Sequence, residues 1–224
     1  MKWLWGLISR FLSRFAVEPL PASKPLSSPK PKPYTEAYIK AEIRPEKKEE
    51  LRVAAYRIRE GMARYEDVAA KLGNGIHWWF IGIVHYMEAG HFYPNHFRYH
   101  LHCGDPLTGR TVHIPKGRPK ANPRGGTVPP SPANPYSWEE SAIDALRYMG
   151  YDVVKDWSIE NCLYLFEKYN GFGYKRRGVP SPYLWSYTDK YTSGKYVADG
   201  KFDPKAVSKQ PGVAALMKAL NILA

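Results

Sequence analysis

The sequence predicts a domain of the α+β class that is mainly α-helical and has one small β-hairpin. The run from Ile76 to Met87 is almost entirely apolar, which is typical of a buried helix. Residues 97–114 instead alternate in character around the turn-rich sequence CGDPLTG, which predicts a β-hairpin or small sheet. Ser137 and Glu140 form a capping box, so helices are expected to resume after the hairpin.

The chain before this domain has two predicted segments. Residues 1–17 are strongly apolar, but Arg10 and Arg14 would give a helix a narrow polar stripe, as in basic amphipathic helices at membrane surfaces. A signal peptide and a transmembrane anchor are the alternatives; the arginines count against the first and the short apolar run against the second. Residues 18–35 are rich in proline, serine and lysine and predict a semi-rigid linker, so the globular domain is expected at residues 36–224.

Helices are also predicted between the linker and the apolar run. Residues 46–72 have the spacing of one or two helices, and their pattern continues past Gly61 into residues 66–72. The apolar stripe of this segment consists of Leu51, Ala54, Ala55, Ile58 and Met62. A stripe of this kind should face the core of the domain.

The part of the chain after the hairpin begins with a predicted long loop, because residues 115–136 are rich in proline and glycine. A helix is expected from the capping box at Ser137 through Tyr148. A second helix should begin after Ser158 and end near Tyr169, and residues 204–223 are expected to end the chain with another helix.

Glu88 is the carboxylate that ends the apolar run, just before a glycine. Burial would disfavour its charged form, and the negative end of the helix dipole would disfavour it further, so both effects raise its pKa. A carboxylic acid held neutral near neutral pH is what general-acid catalysis needs. The alternative is a buried ion pair with an arginine such as Arg98, which would imply no catalysis.

The charge of the chain predicts an anionic partner. Its 224 residues include 33 lysines and arginines against 21 acids, a formal net charge of +12. Nucleic acid, a membrane surface and an anionic polymer such as the bacterial cell wall all fit this excess. The basic residues are dispersed and no nucleic-acid-binding motif is present, so nucleic acid is not expected. Cys103 and Cys162 are too few for a disulfide framework; two free thiols are expected, with one bridge as the alternative.

The sequence resembles the lysozyme-like superfamily. The segment IHWWFIGIVHYMEAG resembles the helix of phage endolysins and lytic transglycosylases that ends in the catalytic glutamate. The segment KYNGFGY at 168–174 is similar to the tyrosine–asparagine–glycine motif that lines the saccharide cleft of transglycosylases and goose-type lysozymes. The stretches HLHCGDPLTGRTVHIPKGRP and SPYLWSYTDKYTSGKYVADGKFD resemble a phage and prophage lysin subfamily, so the resemblance covers roughly residues 40–222.

This resemblance implies a lysozyme-like helical domain with the β-hairpin lobe beside an active cleft. It also implies cleavage of the β-1,4 bond between N-acetylmuramic acid and N-acetylglucosamine in peptidoglycan, by hydrolysis or by transglycosylation. Glu88 matches the general acid, and Asp105 is the candidate for a second carboxylate. The substrate-binding candidates are Tyr169, Asn170, His100, His102 and Thr111.

Some of these residues also have a purely structural interpretation. Asp105 stands in a Gly-Asp-Pro sequence, which commonly begins a turn, and transglycosylases need only the glutamate. Tyr169 and Asn170 precede Gly171, and asparagine and glycine are favoured where a helix ends. Both interpretations stay open at the level of the sequence.

The histidines raise a metal-site alternative, because all seven lie between residues 77 and 113. His85 and Glu88 would share a helix face, and His100 and His102 a strand face. A zinc-dependent amidase or peptidase of the cell wall could use these four residues. No HExxH motif is present and the resembling lysins use no metal, so no cofactor is expected.

The sequence thus predicts a monomeric endolysin that degrades peptidoglycan in the bacterial cell envelope or periplasm. Residues 1–17 would make it membrane-associated or direct its export. A non-enzymatic basic protein that binds the cell wall or nucleic acid is the remaining alternative.

Overall fold

The computed structural model describes residues 33–113, 115–119, 136–198 and 200–223. The predicted membrane helix, most of the predicted linker and residues 120–135 of the predicted loop lie outside these ranges. The chain forms two compact units. One comprises the described residues up to Arg57 together with those from Asp156 onward, and we call it the terminal unit. The other, Ile58–Lys155, is called the central unit.

The described residues are mainly helical, with one small sheet, so the predicted α+β class is confirmed. The α-helices are α1 (Pro33–Lys40), α2 (Lys48–Glu60), α3 (Met62–Leu72), α4 (Trp78–Ala89), α5 (Trp138–Tyr148), α6 (Ile159–Asn170), α7 (Gly173–Arg176), α8 (Pro182–Trp185) and α9 (Val213–Ala219). The strands are β1 (Lys195–Ala198) and β2 (Lys201–Asp203). Within the described ranges, no helix is long and apolar enough to cross a membrane.

The central unit is built around α4, which the apolar run forms as predicted. Helix α3 packs against both α4 and α5. Gly82 allows this close packing, because a Cβ atom there would lie 2.8 Å from Cγ2 of Ile58 and 2.9 Å from a ring carbon of Tyr65. Helix α5 begins with the predicted capping box of Ser137 and Glu140. The packing of α3 and α5 encloses the core side of α4.

The helices before α4 form as predicted, but one residue of their predicted apolar stripe is exposed. Residues 46–72 do form two helices, α2 and α3, which Gly61 separates. Most of the predicted stripe is buried, but 37% of Met62 is exposed, so its assignment to the core was wrong. Met62 is the first residue of α3, where the break at Gly61 shifts the helical phase.

The predicted β-hairpin at residues 97–114 was wrong. In the described part of that segment a single bridge joins Tyr99 to Pro106, and no strand forms. The physical reason lies at Asp105, whose carboxylate accepts the N–H groups of Val112 and His113. Those amides therefore bond to a side chain instead of to a facing strand. The segment is a compact, side-chain-bonded loop.

The sheet lies in the terminal unit instead. Strands β1 and β2 are antiparallel, with Lys195 opposite Asp203 and Tyr196 opposite Phe202, and an irregularity follows Tyr196. Helix α6 packs against α1, α8 and α9, and α8 also packs against α9. Cys103 in the central unit and Cys162 in α6 are both buried free thiols, as expected.

Helix α1 begins within the segment that was predicted to be linker. Pro33 occupies the start of the helix, where its missing N–H is tolerated. The carboxylate of Glu160 accepts the N–H groups of Tyr34 (3.3 Å) and Thr35 (2.7 Å). Such a cap satisfies amides that the helix itself leaves unbonded. The last three residues of the predicted linker, 33–35, thus belong to this helix.

The last helix, α9, is shorter than the predicted helix over residues 204–223. Pro204 and Pro211 fall in the first half of that range, and proline disfavours helical backbone in the residue before it. The helix starts only after Gly212, whose N–H donates to the carbonyl of Ser186 at 3.0 Å. A Cβ at Gly212 would meet backbone atoms of Ser186 and Leu184 below 3.0 Å.

Candidate active site

Glu88 lies in the last turn of α4 and is 5% exposed. Burial raises the pKa of its carboxyl group to about 8. Within the described part of the chain, no side chain or amide donates a hydrogen bond to it and no cation pairs with it. The alternative of an ion pair with Arg98 was therefore wrong. The group is a protonated acid at neutral pH that has no structural partner among these residues.

His85, one turn earlier on α4, belongs to an aromatic core cluster. Its Nδ1 lies 3.0 Å from the hydroxyl of Tyr65, and its Nε2 lies 3.2 Å from the indole nitrogen of Trp138 and 3.3 Å from the carbonyl of His96. The indole N–H can only donate, so a bond to it makes Nε2 an acceptor. Complete burial holds the pKa of His85 well below its ordinary value. This neutral imidazole is a packing and hydrogen-bonding element of the core.

Cys103 lies near both acids of the predicted site. Its thiol is buried and donates to Oδ2 of Asp105 at 3.3 Å. Burial raises the pKa of this thiol, and the nearby charges of Asp105 and Glu88 raise it further. A thiol that stays protonated is a poor nucleophile. The thiol thus interacts with both acids, by a hydrogen bond with Asp105 and electrostatically with Glu88.

Asp105 is 4% exposed and accepts four hydrogen bonds. Its Oδ2 receives the thiol of Cys103 and the N–H groups of Val112 (2.8 Å) and His113 (2.9 Å), and its Oδ1 receives Nδ1–H of His113 (2.5 Å). Burial alone would raise the pKa of Asp105, but these bonds outweigh it and the pKa is lowered. Oδ2 is thus fully used by the loop, whereas Oδ1 accepts one hydrogen bond.

Thr111 is buried and closes the loop that follows Asp105. Its hydroxyl donates to the carbonyl of Pro115 (2.5 Å) and accepts the N–H of Arg118 (2.9 Å), while its N–H donates to the carbonyl of Arg118 (2.8 Å). The guanidinium of Arg118 then forms a bidentate pair with Asp144 of α5, at 2.6 and 2.9 Å. The hydroxyl proton of Thr111 is therefore used inside the loop. In the predicted contact with substrate, its oxygen could only accept a hydrogen bond, through its remaining lone pair.

His100 and His102 are both buried. Nδ1 of His100 lies 2.6 Å from the hydroxyl of Ser141 on α5, and Nε2 lies 2.9 Å from the carbonyl of Gly109. Burial lowers the pKa of both imidazoles, that of His102 to about 3. His100 therefore fastens the loop to α5 through Nδ1, whereas Nε2 holds the carbonyl of Gly109 within the loop. Neither ring is placed at the surface where a saccharide contact was predicted.

The zinc alternative needed His85, Glu88, His100 and His102 to come together. Across the described ranges, no three residues among histidine, cysteine, aspartate and glutamate are grouped closely enough to hold a metal ion. The ring nitrogens of His85 and His100 are also engaged in the core. The predicted four-residue zinc site is not assembled.

Tyr169 and Asn170 belong to the terminal unit, at the end of α6. Tyr169 is 6% exposed and its ring stacks on that of Tyr183, with centroids 6.4 Å apart. Asn170 is the last helical residue, and Gly171 has a φ of 83°. The backbone at Gly171 suits glycine, which agrees with the helix-end interpretation of this motif.

His113 is the site residue that sequence reasoning missed. It belongs to no regular element, so no helical or strand periodicity relates it to Asp105, eight residues earlier. Only the folding of the loop brings its ring to the carboxylate. Ser141, the partner of His100, was missed for the same reason, since 41 residues separate the two.

Comparison of the chain with protein-family models, with curated proteins and with solved structures finds no match. The candidate function is therefore inferred from the geometry of the central unit and from the resemblance of the sequence to the lysozyme-like lysins.

Proposed function

We propose that the protein is a peptidoglycan-degrading glycosidase of the lysozyme-like type, with Glu88 as its general acid. The observation that carries this proposal is the burial of Glu88 at the end of an apolar helix, without a partner among the described residues. Its pKa of about 8 keeps the carboxyl protonated at neutral pH. Buried carboxyl groups with a structural role are commonly hydrogen-bonded or paired.

In the proposed reaction, Glu88 donates its proton to the glycosidic oxygen as the bond from that oxygen to C1 breaks. The positive charge that develops at C1 is then quenched by a water or by a hydroxyl of the substrate itself. Water gives hydrolysis and the internal hydroxyl gives transglycosylation. Asp105 is the candidate second carboxylate, but its four hydrogen bonds favour a role in holding the 105–118 loop over direct attack.

The charge of the chain supports the same substrate. Peptidoglycan carries carboxylates on its peptides, and a protein with a net charge of +12 is attracted to such a polymer. The proposed place of action is the bacterial cell envelope, where the protein would act as a monomer.

The test is digestion of purified peptidoglycan by the full chain and by Glu88→Gln, with mass spectrometry of the soluble products. Glu66→Gln, which removes an exposed acid of α3, is the matched control. We expect the wild type and the control to release muropeptides and Glu88→Gln to release none. Undiminished release by Glu88→Gln would remove the glutamate mechanism. Cleaved peptides with intact glycan strands would point to an amidase or peptidase.

A further inference from the structure

Asp105 and His113 form a hydrogen-bonded pair that has no role in the reaction proposed above. The Nδ1 of His113 lies 2.5 Å from Oδ1 of Asp105, and the backbone N–H of His113 donates to Oδ2 of the same carboxylate. One side chain thereby fixes both the backbone and the ring of His113. The carboxylate has only 6% of its side chain exposed, whereas the imidazole has 49% exposed.

This arrangement determines which nitrogen of His113 carries the proton. The carboxylate of Asp105 already accepts three further donors and is ionised, so it can only accept from the ring. Nδ1 therefore bears the hydrogen, and in the neutral ring the lone pair is on Nε2. No described residue bonds to Nε2, and the ring reaches solvent. A carboxylate that holds a histidine in one tautomer prepares its other nitrogen to accept a proton.

The pair belongs to the same unit as Glu88. The thiol of Cys103 donates to Asp105 at 3.3 Å, and Glu88 contributes to the raised pKa of that same thiol. Asp105 thus joins the oriented, half-exposed imidazole of His113 to Cys103, and Cys103 interacts electrostatically with the buried Glu88.

We propose that His113, oriented by Asp105, is the general base that delivers water to the sugar. This inference rests on the proposed glycosidase function and assigns it to hydrolysis. Nε2 of His113 takes a proton from water as the water oxygen forms its bond to C1. The bond from C1 to the glycosidic oxygen breaks, and Glu88 gives its proton to the departing oxygen. The products have a reducing muramic end, and no oxidant or co-reactant is needed. Asp105 is a positioning residue in this step.

The experiment compares the wild type with His113→Asn, whose side-chain amide can still donate to Asp105 but is not a base. Digestions of peptidoglycan in ¹⁸O-water are analysed for reducing ends that contain the label and for anhydro ends, which form without water. His77→Asn, which changes a histidine at the start of α4, is the control. Melting temperatures show whether each variant keeps its fold.

We expect His113→Asn to melt as the wild type does and to form labelled reducing ends about 10²-fold or more slowly. His113→Ala should behave similarly, and added imidazole should restore part of its rate, which a structural role would not allow. Labelled reducing ends formed by His113→Asn at the wild-type rate would overturn the proposal. Purely anhydro products from the wild type would overturn it too, although the role of Glu88 would stand. If the wild type releases no glycan fragments, both proposals fail.

Discussion

Nδ1 of His100 lies 2.6 Å from the hydroxyl of Ser141, which fastens the loop after α4 to helix α5. The two residues are 41 positions apart, and both are buried. Ser141→Ala would leave one ring nitrogen of His100 buried without its partner. We expect a loss of about 1–3 kcal/mol in the free energy of unfolding, measured by urea titration. Ser158→Ala, at the exposed start of α6, would remove one helix cap without affecting His100 and serves as the comparison.

The pKa of Glu88 predicts how activity depends on pH. A general acid must be protonated, so the rate should decline by about tenfold per pH unit above a midpoint near 8. A rate profile on peptidoglycan between pH 5 and 10 measures it. A midpoint near 4, the value of an ordinary glutamate, would mean that the acid is not Glu88 or that it is not buried in the active protein.

The raised pKa of Glu88 should also make the stability of the fold depend on pH. The folded state holds the proton of Glu88 up to about pH 8, whereas the unfolded chain releases it near pH 4.3. The free energy of unfolding should therefore decline as pH rises from about 4 to about 8. Glu88→Gln removes this titration, and we expect it to be more stable than the wild type by roughly 3–5 kcal/mol at pH 9. Equal urea midpoints of the two proteins at pH 9 would contradict the prediction.

Asp105 should give the free energy of unfolding the opposite dependence on pH. Its pKa is lowered in the folded state, so its contribution is present above the unfolded pKa and is lost as pH falls through the folded one. Asp105→Asn should lower the free energy of unfolding by about 2–4 kcal/mol at pH 7, because an amide oxygen cannot replace a carboxylate that accepts four donors. Asp67→Asn, which breaks an exposed ion pair with Lys71, is the control and should cost less than about 1 kcal/mol.

Gly82 predicts the cost of adding one methyl group to the core of the central unit. An alanine Cβ there would lie 2.8 Å from Ile58 and 2.9 Å from Tyr65, so both must shift. We expect Gly82→Ala to destabilise the fold by about 1–3 kcal/mol and to lower the melting temperature. At Gly109 no atom lies within 4 Å of an added Cβ, so Gly109→Ala should be nearly neutral.

The periodicity of the sequence was sufficient to predict the main helices and the burial of Glu88. The apolar run of α4, the stripe of α2 and the capping box of α5 depend on neighbours within one or two turns, and such local signals are read directly from the chain. The burial of Glu88 also followed, because a helix that is apolar on all sides has no solvated face.

The loop after Glu88 was decided only by tertiary structure. Alternation at residues 97–114 predicted strands, but the buried carboxylate of Asp105 binds the amides that a strand would need. The pairs His100–Ser141 and Arg118–Asp144 join residues 41 and 26 positions apart, and no local pattern specifies such partners.

The sequence by itself thus determined the class of the fold and one buried acid, because both follow from local periodicity and from the composition of a single helix. Tertiary structure alone decided the surroundings of that acid. It turned His100 and Thr111 inward, used both oxygens of Asp105 in the loop, and held the half-exposed ring of His113 against that carboxylate. Hydrogen bonds between distant segments form only after the backbone has been brought together, which is why they leave no pattern in the chain.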